Sequence, residues 1–235
     1  MAETESERYS DDDGFPETDV TLLVDDKKIH VNKAVLSQHS PVFSAMFSGS
    51  FKESTEREIT LKNKKAKDVI EFLRCFYPNM KHAITESNVL QILPLAHEYQ
   101  SPLVADCEKF MTDMCKPGTG LTVTTLLDYI LTAEKYDLNT LLDTAVEFCG
   151  HVDFDLLNGR TFERKEKQNF KKGFLCTEWN YDVQETKYIC SKFLEMNLKT
   201  QHAISVRRLQ VLEMNKRKMK NEEEEIEEDY VIKLT

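Results

Sequence analysis

Residues 31–47 have the sequence VNKAVLSQHSPVFSAMF, which predicts two short consecutive helices. Asn32 is a suitable N-cap for the first helix, whose apolar residues are Val35 and Leu36. Ser40 and Pro41 open the second, because a serine side chain accepts a hydrogen bond from a free helix-start amide and proline fits the first helical position. The apolar residues of the second helix then share one stripe: Val42, Phe43, Met46 and Phe47.

Three strands are predicted, two before this helix pair and one after it. Residues 20–24 and 29–31 are rich in branched apolar residues and are separated by the polar, turn-like residues 25–28, which is typical of a β-hairpin. Residues 58–61, Glu-Ile-Thr-Leu, alternate polar and apolar side chains and predict a short third strand. The strands and the helix pair together indicate a small α+β domain.

Helices follow the third strand. Residues 66–77 predict a helix with a broad buried face that ends before Pro78. Another is expected from about Thr85 to Tyr99, bent or shortened at Pro94, because proline lacks the amide that a helix interior needs. Ser101 and Pro102 repeat the start signal seen at Ser40 and open a further helix. Gly118 and Gly120 then indicate a break.

The residues after this break show helical periodicity and no strand pattern. The apolar faces at 123–131 and 138–149 predict two antiparallel helices joined by a short turn. Residues 158–182, which contain Trp179, lack clear periodicity and predict a mostly irregular segment. Helical patterns return at 188–196 and 203–220, and the basic end of the last helix runs into acidic residues that can form ion pairs within it.

The formal net charge of −10 comes from the two ends of the chain. The first 19 residues and residues 222–229 each carry a net charge of −7, so the rest has a net charge of +4. Charge runs with few apolar residues are typical of disordered or solvating segments. The acidity therefore does not indicate a functional site.

Several classes of function are not supported. The sequence has no apolar run of the ~20 residues that a membrane helix needs, and its acidic N-terminus is unlike a signal peptide. We therefore expect an intracellular protein, cytoplasmic or nuclear. The six cysteines include no CxxC pair and are expected to be buried hydrophobes rather than disulfides or zinc ligands. The chain has no phosphate-binding glycine loop and no GxSxG motif, so we expect no cofactor, no metal and no enzyme activity.

Thr18-Asp19-Val20-Thr-Leu, the spaced pattern of residues 31–47 and the order of elements resemble the BTB (POZ) domain family. The resemblance implies an α+β fold, a small mixed sheet with helical hairpins, followed by an all-α extension like the 3-box or BACK region. The expected division is an acidic disordered tail at 1–16, the BTB/POZ domain at 17–116, the helical extension at 121–205 with its hairpin at 121–150, and a charged helix with an acidic tail at 206–235.

The same resemblance implies homodimerisation through the first helices and neighbouring strands. Asp19 and Lys33 match a charged pair near the dimer interface of family members, where an opposite-charge pair fixes register more than it adds affinity. Val35 and Leu36 are expected in the same interface. Asn32 is a departure, because many members have histidine there; asparagine still serves as a helix cap.

Family members that act as ubiquitin-ligase adaptors carry an apolar residue, any residue and a glutamate just after the second helix. Here Phe51-Lys52-Glu53 occupies that position. The resemblance implies that Phe51 is an anchor in a groove of the third cullin, that Glu53 accepts a hydrogen bond or caps a turn, and that Tyr99 and the helix at 123–136 flank the same groove. In the alternative interpretation, Phe51 folds back over Phe47 and closes the core.

The expected function is that of a non-enzymatic adaptor, a homodimer that recruits a substrate protein to a cullin-RING ubiquitin ligase. The alternative is a BTB oligomerisation scaffold or transcription-associated co-factor with no ligase role. Residues 160–174 mix basic and aromatic side chains, but the chain has no zinc finger, so nucleic acid is not favoured as a partner. A basic segment that balances the acidic ends accounts for this composition.

Overall fold

The structure is a computed structural model. It describes residues 15, 18–49, 56–78, 80–152, 154–157 and 183–232, and within the helices the side chains of 154–155, 183–184 and 220–232 are not described. The chain divides into two compact units, residues 1–110 and 111–235. The boundary falls within one helix, α5 (Leu103–Met114).

The first unit contains a three-stranded sheet with the order β2-β1-β3. Strand β1 (Val20–Val24) pairs antiparallel with β2 (Lys27–Val31) and parallel with β3 (Glu58–Thr60). Asp25 and Asp26 join β1 to β2 with φ values of 51° and 60°, and two positive φ values are typical of the tight turn whose twist matches a hairpin. The buried side chains of β1 alternate, as expected for a sheet with one covered face: Val20, Leu22 and Val24.

Five helices accompany the sheet in the described part of this unit: α1 (Lys33–His39), α2 (Pro41–Phe47), α3 (Ala66–Phe76), α4 (Val89–Glu98) and the first part of α5. The core is formed with the sheet by fully buried side chains of these helices and of Tyr77, which directly follows α3: Leu36, Phe43, Phe72, Leu73, Tyr77, Ile92 and Leu93. Phe15 is also buried, with its ring 4.3 Å from that of Tyr77. Assigning residues 1–16 to a disordered tail was therefore wrong for Phe15, because its ring packs into the core.

The second unit is helical in its described residues. It contains α6 (Val123–Tyr136), α7 (Asn139–Cys149), α8 (Phe154–Leu157), α9 (Val183–Glu195) and α10 (Leu198–Ile232). Helices α6 and α7 form the predicted hairpin, and Asp137 makes the turn with a left-handed backbone, φ 55°. The core is formed by side chains from four helices: Leu126, Leu127, Tyr129, Ile130, Leu141, Ala145, Cys149, Ile189 and Ile204.

The α+β fold with a helical extension is confirmed, and several helix boundaries differ from the prediction, including the start of α9 at Val183 instead of 188. Helix α4 starts at Val89 instead of about Thr85, because the Asn88 side chain accepts a hydrogen bond from the Thr85 amide and holds residues 85–88 as a turn. Helix α10 is longer at both ends than 203–220. The irregular segment expected at 158–182 lies outside the described residues. Among the helices of the described residues, none is long and apolar enough to cross a bilayer.

Candidate protein-interaction site

Helix α2 is held at its N-terminus by Ser40. The Ser40 Oγ accepts a hydrogen bond from the Phe43 amide at 3.1 Å and donates one to the carbonyl oxygen of Tyr99 at 2.6 Å. The serine is completely buried, so both bonds form away from water. The predicted cap at Ser40 is confirmed, and it also ties α2 to the end of α4.

The ring of Tyr99 packs against α2. It lies 4.4 Å from the Phe43 ring with an interplanar angle of 4°, and the side chain is 5% exposed. Burial, together with the nearby Glu98 carboxylate, raises the pKa of Tyr99 to about 12. A side chain so deeply packed offers almost no area to a partner. We therefore revise its assignment from a residue that flanks a partner's groove to one that positions α2.

Lys33 lies where α1, α2 and the start of β3 approach one another. Its backbone N–H donates to Asp19 Oδ1 at 2.7 Å, and its ammonium group donates to the carbonyl oxygen of Glu56 at 3.4 Å. The same Nζ lies 5.3 Å from the centre of the Phe47 ring, a cation–π distance. Lys33 thus contacts the last residue of α2 and the residue that resumes the described chain before β3.

The other residues predicted for the dimer interface differ in exposure. Asp19 is exposed and Val35 is half-buried, so both can reach a second copy. Leu36 has no exposed surface and belongs to the core. Its assignment to an interface is therefore corrected, because a second copy could touch it only if the domain opened. The pattern of α1 predicted an apolar pair but did not separate the inward residue from the outward one.

Asn32 connects α1 to α3. Its Oδ1 accepts hydrogen bonds from the amides of Ala34 and Val35, which confirms its predicted role as a cap. Its own N–H donates to the Tyr77 hydroxyl at 2.7 Å. The contact joins residues 45 positions apart, and sequence reasoning missed it. The only sequence signal was a tyrosine at the end of the α3 pattern.

Phe51 and Glu53 lie outside the described residues. The described chain stops at Gly49, whose φ of 52° suits a residue without a side chain, and resumes at Glu56. Both flanks are fixed to the domain, since Ser48 caps α2 through its N–H to the Ala45 and Ser44 carbonyls and Glu56 is held by Lys33. The flanks on both sides of residues 50–55 are therefore attached to the folded domain.

His39 and the cysteines make no candidate catalytic or metal site in the described part of the chain. The His39 ring stacks on Phe76 at 4.9 Å, and burial lowers its pKa. Among the described residues no group of three or more His, Cys, Asp or Glu side chains could hold a metal ion. Burial raises the pKa of Cys107, Cys115 and Cys149 to about 12, so these thiols are poor ligands and nucleophiles.

Ser40→Ala should lower the free energy of unfolding by about 2 kcal/mol, because it removes a helix cap and leaves a buried carbonyl without its donor. Ser44→Ala is the matched control, since Ser44 is an exposed residue within the same helix, and its change should stay within about 0.5 kcal/mol. Urea unfolding followed by far-UV circular dichroism measures both. Equal effects from the two variants would contradict the role given to Ser40.

Comparison with known proteins finds a family to which part of the chain is similar. Residues 13–114 match the model of the BTB/POZ domain family. BTB and MATH domain-containing protein 38 of Caenorhabditis elegans is 38% identical over 94 residues, which are 40% of this chain and 24% of that protein. BTB and MATH domain-containing protein 15 of the same organism is 31% identical over 125 residues, 53% of this chain and 42% of that protein.

A third relative is named as a Kelch-like protein instead of a BTB and MATH domain-containing protein. Kelch-like protein 7 of Rattus norvegicus is 30% identical over 131 residues, which are 55% of this chain and 21% of that protein. The chain thus spans less than half the length of each of these curated relatives.

Proposed function

Since residues 13–114 match the BTB/POZ domain family, we propose that the chain is an adaptor that binds a cullin and brings a substrate protein to a cullin-RING ubiquitin ligase. The observation that carries the proposal is Phe51-Lys52-Glu53, which follows α2 at the position that the adaptor members of the family use. The protein would act in the cytoplasm or the nucleus. The helical residues from Met111 onward would present the substrate.

The cullin contact in this proposal depends on a well-anchored α2. Ser40 and Tyr99 fix its N-terminal end, and Lys33 contacts Phe47 at its C-terminal end. An aromatic anchor carried by fixed flanks loses little conformational freedom when it binds, which is how one ring can dominate a modest interface. Phe51 is then the anchor and Glu53 the hydrogen-bond acceptor.

Homodimerisation is the second part of the proposal. Asp19 supplies exposed polar surface and Val35 supplies half-exposed apolar surface, and the backbone N–H of Lys33 donates to Asp19. Leu36 is buried and packs α1 against the core, so it would not contact the second copy directly. A dimer would present two copies of the cullin-binding segment, so each assembly could hold two cullin chains.

A calorimetric titration with the N-terminal domain of the third cullin tests the proposal. The intact chain should bind, and Phe51→Ala combined with Glu53→Ala should weaken binding about 30-fold, as expected for the loss of a hot-spot residue. Leu90→Ala is the matched control: it removes a partly exposed apolar side chain of α4, and affinity should not change.

Unchanged affinity of the double variant would remove the site assignment. Stable self-association without any cullin binding by the intact chain would instead support an oligomerisation scaffold with no ligase role. Circular dichroism of each variant verifies that the domain remains folded.

A further inference from the structure

Strand β2 forms one edge of the three-stranded sheet, and β1 is the described strand that pairs with it. The turn between β1 and β2 has two residues, so the residues that flank it exchange hydrogen bonds with each other. From there the pairs of the hairpin alternate between bonded and non-bonded. Lys28 and His30 belong to the non-bonded pairs, opposite Leu23 and Thr21.

Hydrogen bonds on the far side of β1 agree with this alternation. The Thr21 N–H donates to the carbonyl oxygen of Arg57 at 2.8 Å, and the Leu61 N–H donates to the carbonyl oxygen of Leu23 at 2.9 Å. Thr21 and Leu23 therefore direct their backbone groups toward β3. The residues opposite them in β2 must direct theirs the other way, out of the edge of the sheet.

The outward backbone groups of Lys28 and His30 bind no other group in the part of the chain that the structure describes. Both residues are exposed. The open stretch ends at Asn32, whose N–H donates to the Tyr77 hydroxyl. Strand β2 thus offers two donors and two acceptors along its edge, the arrangement to which an extended peptide adds as a further strand.

The side chains of β2 determine which strand it accepts. Its sequence, KKIHV, has two lysines, one histidine and no acidic residue. Antiparallel pairing with a second copy would set Lys28 opposite His30 of the second copy, and parallel pairing in register would set Lys28 beside Lys28 of the second copy. Basic side chains would meet in both cases, and lysine on an edge strand is a common protection against such self-association.

We propose that β2 binds an extended acidic peptide of a partner protein, which adds to the sheet as a fourth strand. Carboxylates at alternate positions of the peptide lie on the same face as Lys28 and His30, because alternate residues of a strand share one face. The Lys28 ammonium group pairs with Glu58 at 2.7 Å, but its side chain is 58% exposed and is accessible to a second carboxylate. The surface uses no residue of the proposed cullin contact.

Fluorescence anisotropy with the full-length chain tests the proposal. The probe is the labelled peptide Thr-Glu-Val-Glu-Thr, blocked at both ends, and we expect saturable binding. The same peptide N-methylated at its three central residues keeps both charges but loses its ladder donors, so it should bind about tenfold more weakly. A peptide with glutamine in place of both glutamates should also bind more weakly. Equal binding of the N-methylated peptide would show charge attraction alone and overturn the proposal.

Two variants of His30 locate the binding to β2. His30→Pro removes the outward N–H without removing a bond to β1, and it should weaken peptide binding about tenfold. His30→Thr is the matched control: both variants lose the imidazole contact with the Thr21 hydroxyl, but threonine retains the N–H and should bind the peptide nearly as well as the unaltered chain. Equal affinities of the two variants would place the peptide elsewhere and overturn the proposal.

Lys28→Glu provides the second test, should His30→Pro fail to fold by circular dichroism. This variant should prefer Thr-Lys-Val-Lys-Thr over the acidic peptide, and an unchanged preference for the acidic peptide would overturn the proposal.

The acidic residues of the chain itself are the competing occupant of β2. They are tested in the full-length chain with Asp11→Asn, Asp12→Asn and Asp13→Asn combined. Peptide binding by this variant and not by the unaltered chain would assign the edge to the chain's own residues and overturn the proposal, as would the absence of binding by both. None of these measurements contains a cullin, so their outcomes do not depend on the proposed function.

Discussion

Replacing Phe43 by alanine is expected to lower the free energy of unfolding of the first unit by about 3–5 kcal/mol, the usual cost of removing a buried aromatic ring. Phe43 is almost completely buried, and its ring stacks on Tyr99 at 4.4 Å and on Phe47 at 6.0 Å. The substitution leaves a cavity between α2 and the end of α4. Urea unfolding monitored by far-UV circular dichroism gives the measurement.

Phe47→Ala is the matched control for Phe43→Ala. Phe47 is only half-buried, so the same chemical change should cost clearly less, about 1–2 kcal/mol. The comparison also addresses the alternative in which Phe51 folds over Phe47. In that case Phe47 would have a covering ring, and its substitution would cost nearly as much as that of Phe43.

Alkaline pH should destabilise the second unit through Cys149. Burial, with a smaller contribution from Cys115, raises the pKa of the Cys149 thiol from 9.0 to about 12. Because the unfolded thiol ionises at lower pH than the folded one, its stabilising contribution is complete below pH 9 and is lost as the pH rises toward 12. At pH 11 the loss is about 2–3 kcal/mol for this thiol.

The variant Cys149→Ala isolates this effect. It creates a small cavity, so its stability at pH 7 should be lower than that of the unaltered chain. Its free energy of unfolding should then fall less steeply between pH 9 and pH 11, because one thiol no longer titrates. Parallel pH profiles for the two proteins would show that Cys149 ionises in the folded state as readily as in the unfolded chain.

Much of the fold follows from local sequence signals. Asn32 and Ser40 act as predicted caps, and the hairpin and third strand occur where alternation predicted them. Each of these signals lies within a few residues of the structure it predicts. The start of α4 was predicted wrongly because the side chain of Asn88 stabilises a non-helical turn at residues 85–88, where the helix was expected to begin. The spacing of apolar residues does not report on such a side-chain hydrogen bond.

The site was less predictable because it depends on contacts distant in sequence. Tyr99 was expected to face a partner, yet its ring lies against Phe43, 56 positions earlier in the chain. Leu36 and Val35 are equally apolar neighbours, and only the packing of the whole unit determines which one is buried. The family resemblance supplied the motif position of Phe51, while the anchors of its flanks, Lys33 with Glu56 and Phe47, emerge only in three dimensions.

Because β1 pairs in parallel with β3, the segment between α2 and β3 is part of the connection that brings β3 to the sheet. Leu22 and Ile59 are neighbours in the sheet although 37 positions separate them, so the chain must pass through α1, α2 and this segment before the sheet can close. Any insertion or deletion there changes the length of the connection that leads to the edge strand β3. A deletion there is limited by the distance that the segment must span, whereas an insertion adds only a small loop-closure cost.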